Sequence, residues 1–412
     1  MRNRAPVNAE SDQKKTRLLV LTTTFPRWVN DVEPPFVFEL CRRLKEFEVH
    51  VVAPHAPGAA TEEVMDGVHV HRFRYALEKL ETLAFDGGIA ANLKRSPWKY
   101  ALLQWFLLGM FFRAFQVGRK YDIHLIHAHW MIPTGLIGAT LRELLPGENK
   151  LLVTAHGGDV HSLKSSIFKR LRTWVANEAD AATAVSHNLA EAGIAEGWPK
   201  DTLLIAPMGV NLKHTFTPKQ RSQDFPTLVF AGRLVQKKGI QHLIEAMPNV
   251  CRQFPGCQLL VAGDGPLLES LKERCEKLEI VGQVQFLGRY QLEELPDILR
   301  RGNIATLPFD TAEDGDVEGL GLTAVEAMGC GIPVIVGDVA AVRDVVTPSK
   351  NGVVVNSRNH DQLSQAIIEL LGNQELRKCL AEQAIADVRS SFDWDICAER
   401  YQLLLLKLAE KK

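Results

Sequence analysis

Thr227-Leu228-Val229-Phe230-Ala231-Gly232-Arg233-Leu234-Val235-Gln236-Lys237-Lys238-Gly239 decides how the chain folds. A short apolar, β-branched run passes through a glycine-bounded loop into a helical pattern that continues to about Val250. Strand, glycine loop and helix in that order make the repeating half-unit of a parallel sheet wrapped by helices. The unit recurs downstream, where Leu259–Ala262 enters Gly263-Asp264-Gly265-Pro266 and Val284–Leu287 enters Gly288-Arg289-Tyr290. Ala305–Pro308 and Pro333–Val336 supply two more strands. It also occurs upstream, with runs at Arg17–Thr22, Val49–Ala53, Val68–Phe73, Ile123–Ala128, Leu151–Ala155, Ala182–Val185 and Leu203–Ala206. The fold class is therefore α/β, with two doubly wound domains. Residues 1–15 read as a disordered leader, 16–216 as the first domain and 217–226 as a polar linker. Residues 227–390 read as the second domain, and 391–412 as a closing helix.

A chain of 412 residues is too long for one ordinary core. A formal net charge of −1 gives no basic field for nucleic acid. Seven cysteines are scattered without a CxxC pair, which favours reduced thiols in a cytoplasmic protein over a disulfide framework or zinc site. No apolar run reaches the roughly 18 residues of a confident membrane span.

Leu93–Lys120 stands apart. Tyr100–Phe112 is apolar nearly all round and rich in Trp and Phe, with Lys94, Arg95 and Lys99 before it and Arg113, Arg119 and Lys120 after it. Two readings fit: a core helix buried against the first sheet, or a helix lying on an anionic membrane surface.

In parallel sheets, ligands bind beyond the carboxyl ends of the strands. Arg233 and Lys238 sit at such an end, where a guanidinium fork and an ammonium would neutralise a diphosphate; Lys237 competes with Lys238 for that role. Val317-Glu318-Gly319-Leu320-Gly321-Leu322-Thr323 leads through a glycine loop into a helix that carries Glu326. A helix N-terminus suits phosphate, and two carboxylates beside it would accept bonds from sugar hydroxyls. From the first half, His156-Gly157-Gly158-Asp159 and His127-Ala128-His129-Trp130 end two strands, and Thr22–Pro35 follows the first. The histidine spacing matches no metal-site pattern, and Gly263-Asp264-Gly265 followed by Pro266 is no dinucleotide fingerprint. Neither a P-loop nor a serine nucleophile elbow occurs. The whole describes a cleft for a nucleotide diphosphate bearing a polyhydroxy group.

With Ala231-Gly232-Arg233, Lys238-Gly239, Ala262-Gly263-Asp264-Gly265-Pro266, Phe286-Leu287-Gly288 and Glu318-Gly319-Leu320-Gly321 to Glu326-Ala327-Met328 in this order, the chain resembles the retaining glycosyltransferases of family 4. The resemblance extends from about residue 17 to 405 and implies two Rossmann-like domains facing across a cleft, the GT-B fold. It implies that Arg233, Lys238, His156 and Glu318 are the catalytic set. Donor binding would fall to Glu326, Gly319, Leu320, Gly321, Leu322, Thr323, Gly288, Arg289, Tyr290 and Gly232. Phe25, Pro35, His129, Trp130 and Asp159 would form the acceptor side. It implies a nucleotide-sugar co-substrate, no cofactor or metal, and retention by front-face attack. The acceptor would be a glycan or lipid-linked glycan, met in the cytoplasm or on the inner face of the membrane. The last segment, around Phe392-Asp393-Trp394-Asp395, would return to the first domain. Pro308-Phe309-Asp310 departs from the family's usual Pro-Ser. A sugar-nucleotide epimerase, a phosphorylase and a non-catalytic sugar-nucleotide scaffold are the alternatives.

Overall fold

The computed structural model describes residues 15–410 apart from 30, 32, 34, 86, 162, 164, 220–224 and 314. The leader up to residue 14, the middle of the expected linker and the last two residues of the expected closing helix lie outside the described residues. The first sheet contains β1 (Thr16–Leu21), β2 (Phe47–Pro54), β3 (Glu62–Met65) and β4 (Val68–Phe73). It continues with β5 (Leu125–His129), β6 (Lys150–Ala155), β7 (Ala181–Ala184) and β8 (Leu203–Ile205). Their order is β3-β4-β2-β1-β5-β6-β7-β8. Only β3 runs antiparallel to its neighbour. The second sheet contains β9 (Thr227–Ala231), β10 (Gln258–Ala262), β11 (Val284–Gly288), β12 (Ile304–Leu307), β13 (Val334–Gly337) and β14 (Val353–Val355). It is parallel throughout, in the order β11-β10-β9-β12-β13-β14.

Helices on both faces explain why these strands read as unbroken apolar runs. Leu18 to Leu21 and Leu228 to Phe230 are all fully buried. In each sheet the first strand lies inside. β1 sits between β2 and β5, and β9 between β10 and β12. The connections leave these inner strands in opposite directions, which opens a crevice at their carboxyl ends.

Two elements differ from expectation. β3 and β4 form a hairpin across Asp66-Gly67, both with positive φ (51° and 83°), the geometry an Asp-Gly turn favours. The helix after β1, placed by the sequence pattern at about Pro35 to Lys45, spans only Phe36–Cys41, because β2 already begins at Phe47 and residues 42–46 make the turn.

The apolar helix spans Tyr100–Lys120, and with the preceding turn it reaches from Pro97 to Lys120. By length and composition it is long enough to cross a membrane, a correction to the shorter run expected. One face nevertheless packs on the sheet: Phe106 is fully buried, with its ring 4.9 Å from Phe73 and 5.0 Å from Tyr75. The opposite face, with Trp105, Leu108 and Phe112, is exposed.

The chain passes between the two cores twice. Met208 belongs to the first core and Val210 to the second, while Phe392 belongs to the second and Trp394 to the first. The two crossings touch. Val210 N–H donates to the Phe392 carbonyl (2.8 Å), and Trp394 N–H donates to the Val210 carbonyl (3.2 Å). The helix Trp394–Glu410 then lies on the first core, where the Tyr401 hydroxyl donates to the Ala206 carbonyl at 2.7 Å.

Candidate functional site

The loop after β9 carries the cations. Gly239 ends it with a φ of 71°, and a Cβ there would lie 1.7 Å from the Pro308 carbonyl oxygen, so only glycine lets this loop close against the end of β12. That contact aims the two lysines before it at the segment that follows. Lys237 Nζ lies 3.0 Å from an Asp316 carboxylate oxygen and donates to the Val317 carbonyl at 3.3 Å. Lys238 Nζ lies 2.8 Å from Glu318 Oε2 and 5.0 Å above the centre of the Phe309 ring. Adjacent lysines thus clamp residues two apart on an extended segment. Arg233 is exposed, and its side chain has no ion pair or hydrogen bond among the described residues.

The helix Leu322–Gly329 starts beside this clamp, with Gly321 at φ 84° before its first residue. The carboxyl before it, Glu318, and the one it carries, Glu326, differ in electrostatics. Burial alone would raise Glu318, but the Lys238 ammonium, with Lys237 behind it, outweighs burial and holds the carboxyl below its ordinary range. Glu326 has no such partner at hand. Burial pushes it up to about 8 against a partial pull from Lys238, so it is protonated at neutral pH. Tyr290 lies close enough for its phenol to be raised by burial and then by Glu326. Arg289 is exposed and pairs with Asp264 at 2.9 Å. Leu320 is buried, which leaves only its backbone to face a ligand.

The first domain faces this loop closely. A Cβ on Gly319 would stand 3.2 Å from the His156 carbonyl oxygen. The His156 ring packs 4.9 Å from Trp130 and 5.1 Å from Phe36, and its Nε2 is 3.0 Å from His129 Nδ1. His129 Nε2 is buried without a partner, and neighbouring His127 meets the Thr154 hydroxyl at 2.8 Å. Burial drops His127 and His156 to about 3, and His129 well below its ordinary value. All three rings are neutral at physiological pH and act through hydrogen bonds.

Arg233, Lys238, Glu318, Gly232, Gly288, Tyr290 and Gly319–Thr323 fall at strand or helix ends of the second domain, Glu326 lies within the helix Leu322–Gly329, and His156 and Trp130 fall at strand ends of the first. The acceptor set divides. Pro35 and Trp130 are partly exposed. Phe25 is 1% exposed and packs edge-on against Phe38 at 5.6 Å, so its ring supports the loop from inside the core. His129 is fully buried and reaches the cleft only through His156. Asp159 is buried too, and its carboxylate accepts from the N–H groups of Met131, His156 and Gly157 at 2.7, 3.2 and 3.0 Å. It holds the His156 loop in shape. Asp316 and Phe36 were not singled out in the sequence, and Phe309 was noted there only within the Pro308-Phe309-Asp310 departure. The pairing of Lys237-Lys238 with Asp316-Val317-Glu318 is the only sequence signal that could have found one of them.

Residues 213–387 match the family Glycosyl transferases group 1, and residues 35–214 match Glycosyltransferase Family 4. The chain is similar to a GDP-mannose-dependent monoacylated alpha-(1-6)-phosphatidylinositol monomannoside mannosyltransferase of Corynebacterium glutamicum. Identity is 30% over 286 residues, 66% of this chain and 74% of the relative. A GDP-mannose-dependent alpha-(1-6)-phosphatidylinositol monomannoside mannosyltransferase of Mycolicibacterium smegmatis is 27% identical over 369 residues, 86% of this chain and 89% of the relative. Among solved structures, the sucrose-phosphate synthase of Thermosynechococcus elongatus superposes with a TM-score of 0.77 at 21% identity, covering 97% of this chain and 100% of that one. Anabaena HepE in complex with UDP and glucose superposes at 0.72 and 16% identity, covering 95% and 99%. These structural likenesses concern the fold, two Rossmann-like domains facing across a cleft.

Proposed function

Given that the chain belongs to the group 1 glycosyl transferases of family 4 and transfers sugar from a nucleotide-sugar donor, we propose that it does so with retention and without a metal, onto a lipid-linked glycan. The observation that carries the reading is the division of labour among the cations. Lys238 is committed to partly buried Glu318, while Arg233 is exposed and, among the described residues, unpaired at the same strand end. A diphosphate entering between Arg233 and the first turn of Leu322–Gly329 would meet one free positive charge, a second from Lys238, and helix N–H groups.

The family resemblance assigns the roles, and the positions of the residues support them. Arg233 and Lys238 bind the diphosphate and stabilise the charge that grows on it. The N–H groups of Gly319 to Thr323 line its path, Glu326 accepts from the ribose, and Gly288-Arg289-Tyr290 borders the base. Glu318 faces the donor sugar, and neutral His156 hydrogen-bonds that sugar from the other side. As the bond from the anomeric carbon to phosphate breaks, the acceptor oxygen bonds that carbon on the same face, and its proton passes to the departing phosphate oxygen. No side chain is needed as general base, which suits a cleft whose histidines are weak bases.

The mannosyltransferase relatives make GDP-mannose the first donor to try, and their acceptors make a phosphatidylinositol mannoside the first acceptor class. Such an acceptor implies work at the cytoplasmic face of a membrane, approached through residues 94–120. The relatives are transferases, so the epimerase and phosphorylase alternatives are set aside. A panel of GDP-, UDP- and ADP-sugars tests the donor: one of them raises the unfolding temperature and is slowly hydrolysed. Silence across the panel refutes the donor reading. Proton NMR of the product tests retention, and an unchanged rate after EDTA treatment tests metal independence.

A further inference from the structure

The helix Tyr100–Lys120 satisfies the first sheet with one face only. On the other, Trp105 (63% exposed), Leu108 (45%) and Phe112 (62%) recur at helical spacing on one stripe. The half-exposed rings of Phe111 and Phe115 flank that stripe. So much aromatic surface in contact with water is unusual unless something covers it.

The charges around the stripe identify the cover. Between Gly87 and Tyr121 there is no Asp or Glu, while Lys94 and Arg95 precede the helix and Arg119 and Lys120 end it. All four cations are exposed. A second copy of the chain on this face would bring like charges together. An anionic bilayer would meet aromatic rings with acyl chains, and both cationic ends with headgroups.

Two further exposed apolar side chains, Leu77 and Val29, sit on segments that precede the helix in the chain. Lys99 Nζ donates to the Thr82 carbonyl (2.9 Å), tying the helix start to the segment that exposes Leu77 (78%). Arg72 then donates to the Pro26 and Arg27 carbonyls at 2.8 and 3.2 Å, where the loop after β1 exposes Val29 (75%). That loop stands at the carboxyl end of the sheet.

We propose that the outward face of Tyr100–Lys120 docks in the surface of an anionic bilayer, with the loop after β1 opening toward the headgroups. Lipid binding is measured with no donor present, so its failure and the failure of the transfer reading are separable. The test is flotation of the full chain with vesicles of phosphatidylcholine alone, or with a third phosphatidylglycerol, at low and high salt. The chain is expected to float with the anionic vesicles and to be released by salt. Trp105→Ala with Phe112→Ala should weaken partition by about tenfold or more through lost apolar burial. Arg119→Gln with Lys120→Gln should weaken it by about tenfold or more through lost attraction. Unfolding temperature and donor binding should hold in both variants, since these side chains point away from the core. No flotation, equal flotation with neutral vesicles, or wild-type flotation of the aromatic variant overturns the proposal. So does a dimer abolished by the aromatic substitutions in the absence of vesicle binding.

Discussion

Lys238→Ala has two consequences that can be separated. Without the ammonium, Glu318 keeps a carboxylate with 13% of its side chain exposed and loses the partner at 2.8 Å. Breaking a fully buried pair costs about 3–5 kcal/mol; partial access of water to both partners lowers that to roughly 2 kcal/mol, or about 4–8 °C for a domain this size. Turnover should fall further, by about 10²- to 10³-fold, if the ammonium stabilises charge on the departing diphosphate. Adding Glu318→Gln removes the stranded charge, so the double variant should regain most of the unfolding temperature and none of the turnover. Lys237→Ala breaks a more exposed pair with Asp316 and should cost less than about 1 kcal/mol. Scanning calorimetry and donor turnover on the four proteins complete the comparison. Turnover of Lys238→Ala within a few-fold of wild type, or an equal loss in Lys237→Ala, would refute the assignment.

Glu326 gives a pH signature. Its carboxyl is raised to about 8, so its contribution to stability is complete below the ordinary carboxylate range and is lost as pH rises through about 8. Glu326→Gln should therefore resist alkaline unfolding better than wild type. If the carboxylate is the form that accepts from ribose, donor binding below pH 8 releases a proton, and affinity rises about tenfold per pH unit toward 8. Calorimetry in buffers of different ionisation enthalpy reads that proton, and its absence denies Glu326 this role. Gly239→Ala should destabilise by about 3 kcal/mol or more through positive φ and collision with Pro308, and a wild-type denaturation midpoint would contradict the packing. Tyr401→Phe strands the Ala206 carbonyl and should cost about 1–2 kcal/mol in denaturant unfolding while leaving donor affinity unchanged.

The parallel strands were legible because burial on both faces leaves apolar runs such as Leu18-Leu19-Val20-Leu21. β3 was not, since Glu62-Glu63-Val64-Met65 is an edge strand with charges facing water, and only Asp66-Gly67 marks its turn. Arg233, Lys238, Glu318 and Glu326 could be picked out because glycine loops and strand ends announce themselves in sequence. Which aromatic lines the cleft could not be read. After β1 the chain leaves any regular strand or helix pattern, so nothing local says that Phe25 turns inward while Phe36 meets His156 and Trp130. Asp159 looked like a ligand residue for a similar reason. Its three N–H partners come from two loops that only the folded sheet brings together.

The paired crossings at Val210 and Asp393 govern how the cleft can change its width. Two backbone segments bonded side by side behave as a hinge pin, and Trp394 packed over Gly209 stiffens it. Relative motion of the two halves is then largely confined to swinging about that one line, with sliding and twisting resisted. Away from the pin, the His187 ring meets Asp344 at 2.8 Å in a surface pair that acts as a weak latch. A strong pivot with a cheap catch lets the diphosphate loop and the His156 loop part to admit a substrate and return to the same register each time.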